Sequence, residues 1–364
     1  MKKLTLASAL VLGAAAASPS FAQSNLQIYG SLDAGVDSIS NAGGSHLAAV
    51  NTGRRSPDRF GFRGVEDLGG GLGAFFRLEA GINLDTGTST RPDLYFNRYS
   101  LVGLQSAGFG SVSFGHMPDF MYEYLSQHSN AVPGLSAAFN PGNLDNLANQ
   151  FQLDNAIKFE TADFGGFQAG AMYGFGEAPN HESKNMRYAV GGQYRGGPLR
   201  VAAAYSMFHD RPVDLRTLFG INSLFGQNIP TGAQFTASRY RTQGAGASYT
   251  IGRFTPHVLV TDVSIGNGNG HTSQHNVQVG VNIDPMGDSL NVIGISAGHS
   301  TFTDRTYKQV NLFASHLLSK RTQVYVGVNH QTADDAAPTA GLFGYPRSSD
   351  QRQTVFRVGF QNTF

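Results

Sequence analysis

The chain contains no cysteine. That removes disulfide staples, cysteine nucleophiles, zinc–thiolate sites and iron–sulfur clusters together. Charge is also scarce. Asp, Glu, Lys and Arg make up 14 % of the 364 residues, against about 25 % in ordinary soluble domains. Past the N-terminal segment there is no long apolar run, and mean hydropathy is −0.20, which excludes helical membrane spans. Neither sign of charge dominates. Setting Lys2 and Lys3 aside, the 26 Lys and Arg become 24 against 25 Asp and Glu. Such a balance argues against nucleic acid as a partner. No cofactor or metal site is expected.

Lys2 and Lys3, the alanine-rich apolar run Leu4–Ala17 and the small-x-small triplet Ser20-Phe21-Ala22 read as a secretory signal with cleavage after Ala22. The apolar run falls short of the ~20 residues that a spanning helix needs. The mature protein is therefore expected to be one domain, residues 23–364.

What is abundant is glycine (46), phenylalanine (26) and tyrosine (14), arranged with a period of two. The stretch Arg59–Ile82 shows it best. Phe60 and Phe62 alternate with Arg59, Gly61 and Arg63. After Glu66-Asp67-Leu68-Gly69-Gly70-Gly71, Phe76, Leu78 and Ala80 alternate with Arg77 and Glu79. This reads as a hairpin with one oily and one ionic face. Similar alternation recurs at Leu26–Val36, Tyr95–Leu104, Ser111–Gly115, Asn155–Thr161 and onward to the terminal Phe356, Val358, Phe360 and Phe364. The tally is about sixteen strands, with short turns alternating with longer loops, as in a transmembrane β-barrel. Asp37–Asp58, His116–Leu153 and His209–Ser238 read as long loops.

Parity supports a lipid-facing exterior. Arg59, Arg63, Arg77, Arg98, Lys158, Arg187, Arg195 and Arg357 all lie opposite the more apolar face of their strands. A basic residue facing lipid near the bilayer midplane costs about 2–4 kcal/mol. Lys308 shares the parity of Val310 and Leu312 and is the exception. The loop His116–Leu153 is too aromatic for a plain linker, with Phe120, Tyr122, Tyr124 and Phe139, and a loop of this length is usually functional.

These residues carry a resemblance. The run Arg59–Leu72, Phe76-Arg77-Leu78-Glu79-Ala80-Gly81, Leu26–Gly30, Phe109–Gly115, Leu318–Thr322 and the terminal Phe364 resemble the trimeric general porins of Gram-negative bacteria, in their β-proteobacterial branch. The resemblance implies a sixteen-stranded antiparallel transmembrane barrel in the outer membrane, a homotrimer, and passive diffusion of ions and small hydrophilic solutes. It implies surroundings of outer-membrane lipid and lipopolysaccharide, and recognition of Phe364 by the barrel-assembly machinery. It further implies that the third external loop, here His116–Leu153, folds inward to form a constriction. In such porins basic wall residues face acids across that constriction. The matching positions are Arg59, Arg77 and Arg98, with Glu79 beside them and Asp119 and Glu123 on the loop. Some relatives carry an arginine where this chain has Gln152.

Two other readings compete with the channel. A barrel enzyme needs a nucleophile, a base and an orienting acid brought together. Only His209-Asp210, His271 with His275, and Asp334-Asp335 tempt in that direction, and no Gly-x-Ser-x-Gly elbow in a strand-to-helix setting accompanies them; the chain is not expected to be an enzyme. A barrel serving mainly as an adhesin would use the long loops.

Overall fold

The computed structural model describes residues 25–132, 134–179 and 184–364. The expected signal, 1–22, lies outside them. Eighteen segments join in one antiparallel sheet. Two of these, Ser45–Thr52 and Arg59–Gly69, are halves of one wall strand. Thr88–Ser89 is a two-residue appendage. Sixteen strands therefore make the wall. The first eight are β1 (Asn25–Ala42), β2 (Ser45–Thr52 continued by Arg59–Gly69), β3 (Leu72–Asn83), β4 (Tyr99–Ser106), β5 (Gly110–Met117), β6 (Leu153–Thr161), β7 (Phe167–Gly174) and β8 (Arg187–Gly196). The rest are β9 (Leu199–Val213), β10 (Phe235–Tyr249), β11 (Phe254–Asn267), β12 (Gly270–Ile283), β13 (Asn291–Phe302), β14 (Arg305–Ser319), β15 (Thr322–Asp335) and β16 (Arg352–Thr363).

Each strand pairs with its sequence neighbour, and β1 pairs with β16 from Ser31↔Thr363 to Ile39↔Val355, which closes the ring. Closure satisfies every strand edge internally, the condition for crossing a bilayer with strands. The terminal Phe364 is drawn into the seam, exchanging backbone hydrogen bonds with Gly30 at 3.1 and 3.2 Å. No described helix is long and apolar enough to cross a membrane.

Alternation places the apolar residues outside. On β12, Val277 and Val279 are exposed while Gln274, Asn276 and Gln278 are buried. On β16, Phe356, Val358 and Phe360 are exposed and Arg357 is buried. The β2–β3 hairpin turns through Gly69, Gly70 and Gly71, at φ of 82°, 62° and 79°, a backbone path that residues with a Cβ avoid.

The long loops need correction. Asp37–Asp58 is mostly strand: β1 runs on to Ala42 and turns back into Ser45–Thr52, pairing from Ala42↔Ser45 to Ala34↔Thr52. His209–Ser238 is also built. β9 continues to Val213, a helical turn Leu215–Phe219 follows, and β10 starts at Phe235. Conversely, β4 begins at Tyr99 rather than Tyr95. Lys308 lies on the exposed face and forms an ion pair with Asp334 at 2.8 Å. Arg241 and Asp262 form a second, partly exposed ion pair at 2.9 Å, with the His275 ring 2.8 Å from the same carboxylate. The outer face is therefore not wholly apolar.

Candidate functional site

Between its two halves, β2 breaks at residues 53–58. The Asp33 carboxylate of β1 accepts from the backbone N–H of Arg54 and of Arg55, at 2.6 and 2.8 Å. In return, the Asp33 N–H donates to the Asp58 carboxylate at 2.5 Å. Asp33 is itself held by Tyr325 and by Arg357, whose other nitrogen lies 2.8 Å from Asp37. Asp33, Asp37 and Arg357 are fully buried. Ion pairs this deep persist only when their remaining hydrogen-bonding capacity is met, and here Tyr325 and the Asn51 carbonyl also take part. The cluster fixes the break and projects two adjacent arginines from it. Arg54 lies 4.8 Å over the Tyr345 ring and Arg55 5.2 Å over Phe313.

One strand further on, Glu79 gathers the arginines that sequence reasoning singled out. Arg77 shares its face of β3, two residues away, and approaches to 2.7 Å. Arg98, from the connection entering β4, donates at 2.7 Å. Arg59 stands at 3.9 Å, and the Tyr29 hydroxyl donates at 2.8 Å. Glu79 is buried. Arg77 also stacks over Tyr99, with 3.5 Å from Cζ to the ring centroid. One carboxylate therefore compensates parts of three guanidinium groups.

The two acids of the 116–153 segment that were expected at the site, Asp119 and Glu123, stand elsewhere. Asp119 is buried and accepts from the Ser206 hydroxyl at 2.8 Å, the Asn146 amide at 3.1 Å and the Tyr122 N–H at 3.2 Å. Burial nonetheless pushes its carboxyl up to about 6. Glu123 accepts from Lys158 at 2.8 Å. Neither acid contacts Arg59, Arg77 or Arg98 within ion-pair distance.

The segment's remaining contacts run along the buried face of the far wall. Gln278 accepts from the Asn130 N–H and donates to the Asn140 side chain, both at 2.8 Å. Gln309 donates to the Ala137 carbonyl at 2.8 Å and Gln274 to that of Pro141 at 2.9 Å. Thr261 donates to Asp145 at 2.7 Å. The Ser136 N–H donates to the Arg54 carbonyl at 2.7 Å, tying the segment to the break in β2. Glycines make room for it. A Cβ at Gly191 would lie 2.6 Å from Phe120, and one at Gly246 2.7 Å from His128.

A cavity of about 830 Å³ runs beside this segment. Its lining includes Arg54, Arg55, Arg59, Lys320, Arg321 and Arg347 and, among the described residues, no Asp or Glu. A second cavity of about 540 Å³ is lined by Gln27, Arg63, Arg77, Tyr99, Glu123, Lys158 and Glu160. Of the six residues expected at the site, only Arg59 lines the first cavity; Arg77 and Glu123 line the second. Sequence reasoning missed Arg54, Arg55, Lys320, Arg321 and Arg347. Gln152 accepts from Arg91 at 2.8 Å, so a guanidinium from the connection between β3 and β4 reaches it.

The pairs considered for hydrolysis are dispersed. Asp210 accepts from the Asn185 N–H, His275 faces Asp262, and Asp334 faces Lys308.

A model of the Gram-negative porin family matches residues 7–336. The chain belongs to that family. It is 31 % identical over 238 residues to an outer membrane porin protein of Bordetella pertussis, a match covering 57 % of this chain and 60 % of that protein. It is 26 % identical to outer membrane porin protein 32 of Delftia acidovorans over the whole length of both. Among solved structures, an anion-selective porin from Comamonas acidovorans superposes with a TM-score of 0.77 at 23 % identity, covering 94 % of this chain and 100 % of that one. The trimer form of OmpT from Vibrio cholerae gives 0.65 at 14 % identity, covering 94 % and 99 %. Likeness at such identity shows the fold. This porin is a multi-pass β-barrel of the outer membrane that serves as a channel for passive diffusion. Membership of a family of channels favours that role over the adhesin alternative.

Proposed function

We propose that the porin encloses a water-filled bore, that the 116–153 segment folds into this bore and narrows it, and that small hydrophilic anions pass more readily than cations. The observation that carries the anion preference is the lining of the larger cavity, with six cationic side chains and no carboxylate among the described residues. Walls of one sign concentrate counter-ions and set the barrier for the opposite charge. In this reading Arg59 faces the passing solute. Arg77 and Arg98, compensated by Glu79, stiffen the wall beside it. Asp119 and Glu123 seat the segment and contribute little field to the bore. The segment's hydrogen bonds to Gln274, Gln278 and Gln309 support its inward course.

The working unit in this proposal is a homotrimer, as the Vibrio relative is described. It is exported with a signal ending at Ala22 and surrounded by outer-membrane lipid and lipopolysaccharide. The exposed ring of Phe364 is available to the assembly machinery. Planar-bilayer recording of purified, refolded protein tests the channel. Stepwise conductance is expected, and absence of any ion current overturns the reading. In a potassium chloride gradient the reversal potential should lie on the chloride side; a value on the potassium side rejects the anion preference while leaving the channel standing.

A further inference from the structure

One corner of the larger cavity combines unused polar groups with an aromatic wall. Arg54 Nε is buried without a hydrogen-bond partner, as are Ser136 Oγ and Arg347 Nε. Among the described residues neither Arg54 nor Arg347 lies in an ion pair. Three approaches bring the corner together. The Ser136 N–H donates to the Arg54 carbonyl. A Cβ at Gly344 would lie 2.5 Å from an Arg54 terminal nitrogen and 3.6 Å from Ser136 Oγ. Phe139 and Phe343 meet edge to face, with centroids 5.8 Å apart. Arg54, Ser136, Phe139, Phe343 and Arg347 all line the cavity.

Buried donors without acceptors are costly unless something supplies the acceptor. A guanidinium beside a hydroxyl matches a carboxylate, which can accept from both at once. A bare inorganic ion would leave the two phenylalanine faces unused. An apolar, flat body attached to the carboxylate would cover them and gain offset or edge contacts. We propose that Arg54 and Ser136, with the Phe139–Phe343 pair, form a binding site for aromatic monocarboxylates along the path of permeation, with Arg347 adding positive potential from the loop between β15 and β16. The site deepens the anion-channel reading and rests on it for access, since the ligand reaches the corner through the bore. Binding there is weak enough for release, as conduction requires. The anion dwells at Arg54 and so interrupts the chloride current.

The test uses the refolded porin in planar bilayers with chloride as carrier. Sodium benzoate is added, with sodium acetate and benzyl alcohol as probes lacking the ring or the charge. Benzoate should reduce the current in a saturating manner, and each of the other two should need a far higher concentration. Arg54→Gln should raise the half-blocking concentration of benzoate roughly tenfold, the loss of one charge-assisted contact. Phe343→Ala should weaken benzoate and leave acetate unchanged. Because the chain has no tryptophan, Phe343→Trp supplies a single fluorescent reporter, whose emission should change with benzoate at the same concentrations. Equal block by acetate and benzoate, or a half-blocking concentration of benzoate that Arg54→Gln leaves unchanged, overturns the site. If no variant conducts, the reporter still reads binding. A saturable benzoate response then leaves the site standing, and the channel falls only if the wild type also carries no current; a flat response removes the site.

Discussion

At the scale of single residues, the proposed channel makes Glu79 the group that sets how much of the arginine charge is felt in the bore. It lies within 2.7 Å of Arg77 and of Arg98 and 3.9 Å from Arg59. Glu79→Gln keeps the shape and frees those charges. The reversal potential in a salt gradient should move further toward chloride. Thermal stability should fall by on the order of 1–3 kcal/mol, less than for a fully buried pair because Arg59 and Arg77 are partly solvated. An unmoved reversal potential would mean that these arginines contribute no field to the permeating ion. The shared face of Arg77 and Glu79 was legible from the alternation alone. That one carboxylate serves three arginines was not, because Arg59 and Arg98 reach it through strand register and a connection. Arg54 and Arg55 were hidden for another reason. They lie in a polar stretch with Pro57, which reads as loop, and only the contacts with Asp33 make it a shaped interruption of a wall strand.

At the scale of elements, two of the titrating groups on the 116–153 segment, His128 and Asp119, act with opposite signs. Burial lowers the His128 imidazole to about 4, helped by His257 and Arg200 nearby. A histidine held below its ordinary value makes the seated segment lose stability as pH falls from about 6.5 toward about 4. Asp119, raised to about 6, acts in the other direction. The seated state holds its proton more tightly, so the contribution of Asp119 grows as pH falls from about 6 toward about 4 and is lost as pH rises through 6. Each effect is worth on the order of 3 kcal/mol at most. Relative to wild type, His128→Asn should gain thermal stability on acidification from pH 7 to 4.5, and Asp119→Asn should lose it. Melting curves of the refolded protein at several pH values check this; parallel slopes for both variants would contradict it. The strands show a similar limit of legibility. Within the apolar band the period of two marks β12 or β16 plainly. Beyond that band nothing forces one face to be oily. The upper parts of β1, β2, β9 and β10 lack a clean alternation of oily and polar faces, with Leu47 to Val50 apolar on both faces of β2, and therefore read as loops.

At the scale of the molecule, closure rests on a small ionic knot. β1 contributes Asp33 and Asp37, and β16 contributes Arg357, all fully buried. Arg357→Gln leaves two carboxylates buried with fewer partners, which should cost about 3–5 kcal/mol and lower the melting temperature of the barrel markedly. A variant melting like wild type would show that the seam is held by its backbone ladder alone. The knot has a further effect. Asp33 both receives Arg357 and carries the backbone of Arg54 and Arg55. Asp33 in β1 and Arg357 in β16 thus brace the break in β2 from which Arg54 and Arg55 project. A growing wall that has not yet taken in its last strand has no firm hold on its cationic ridge. On the proposed anion preference, discrimination by charge would begin only once the ring is completed, and an unfinished barrel would be an indiscriminate hole.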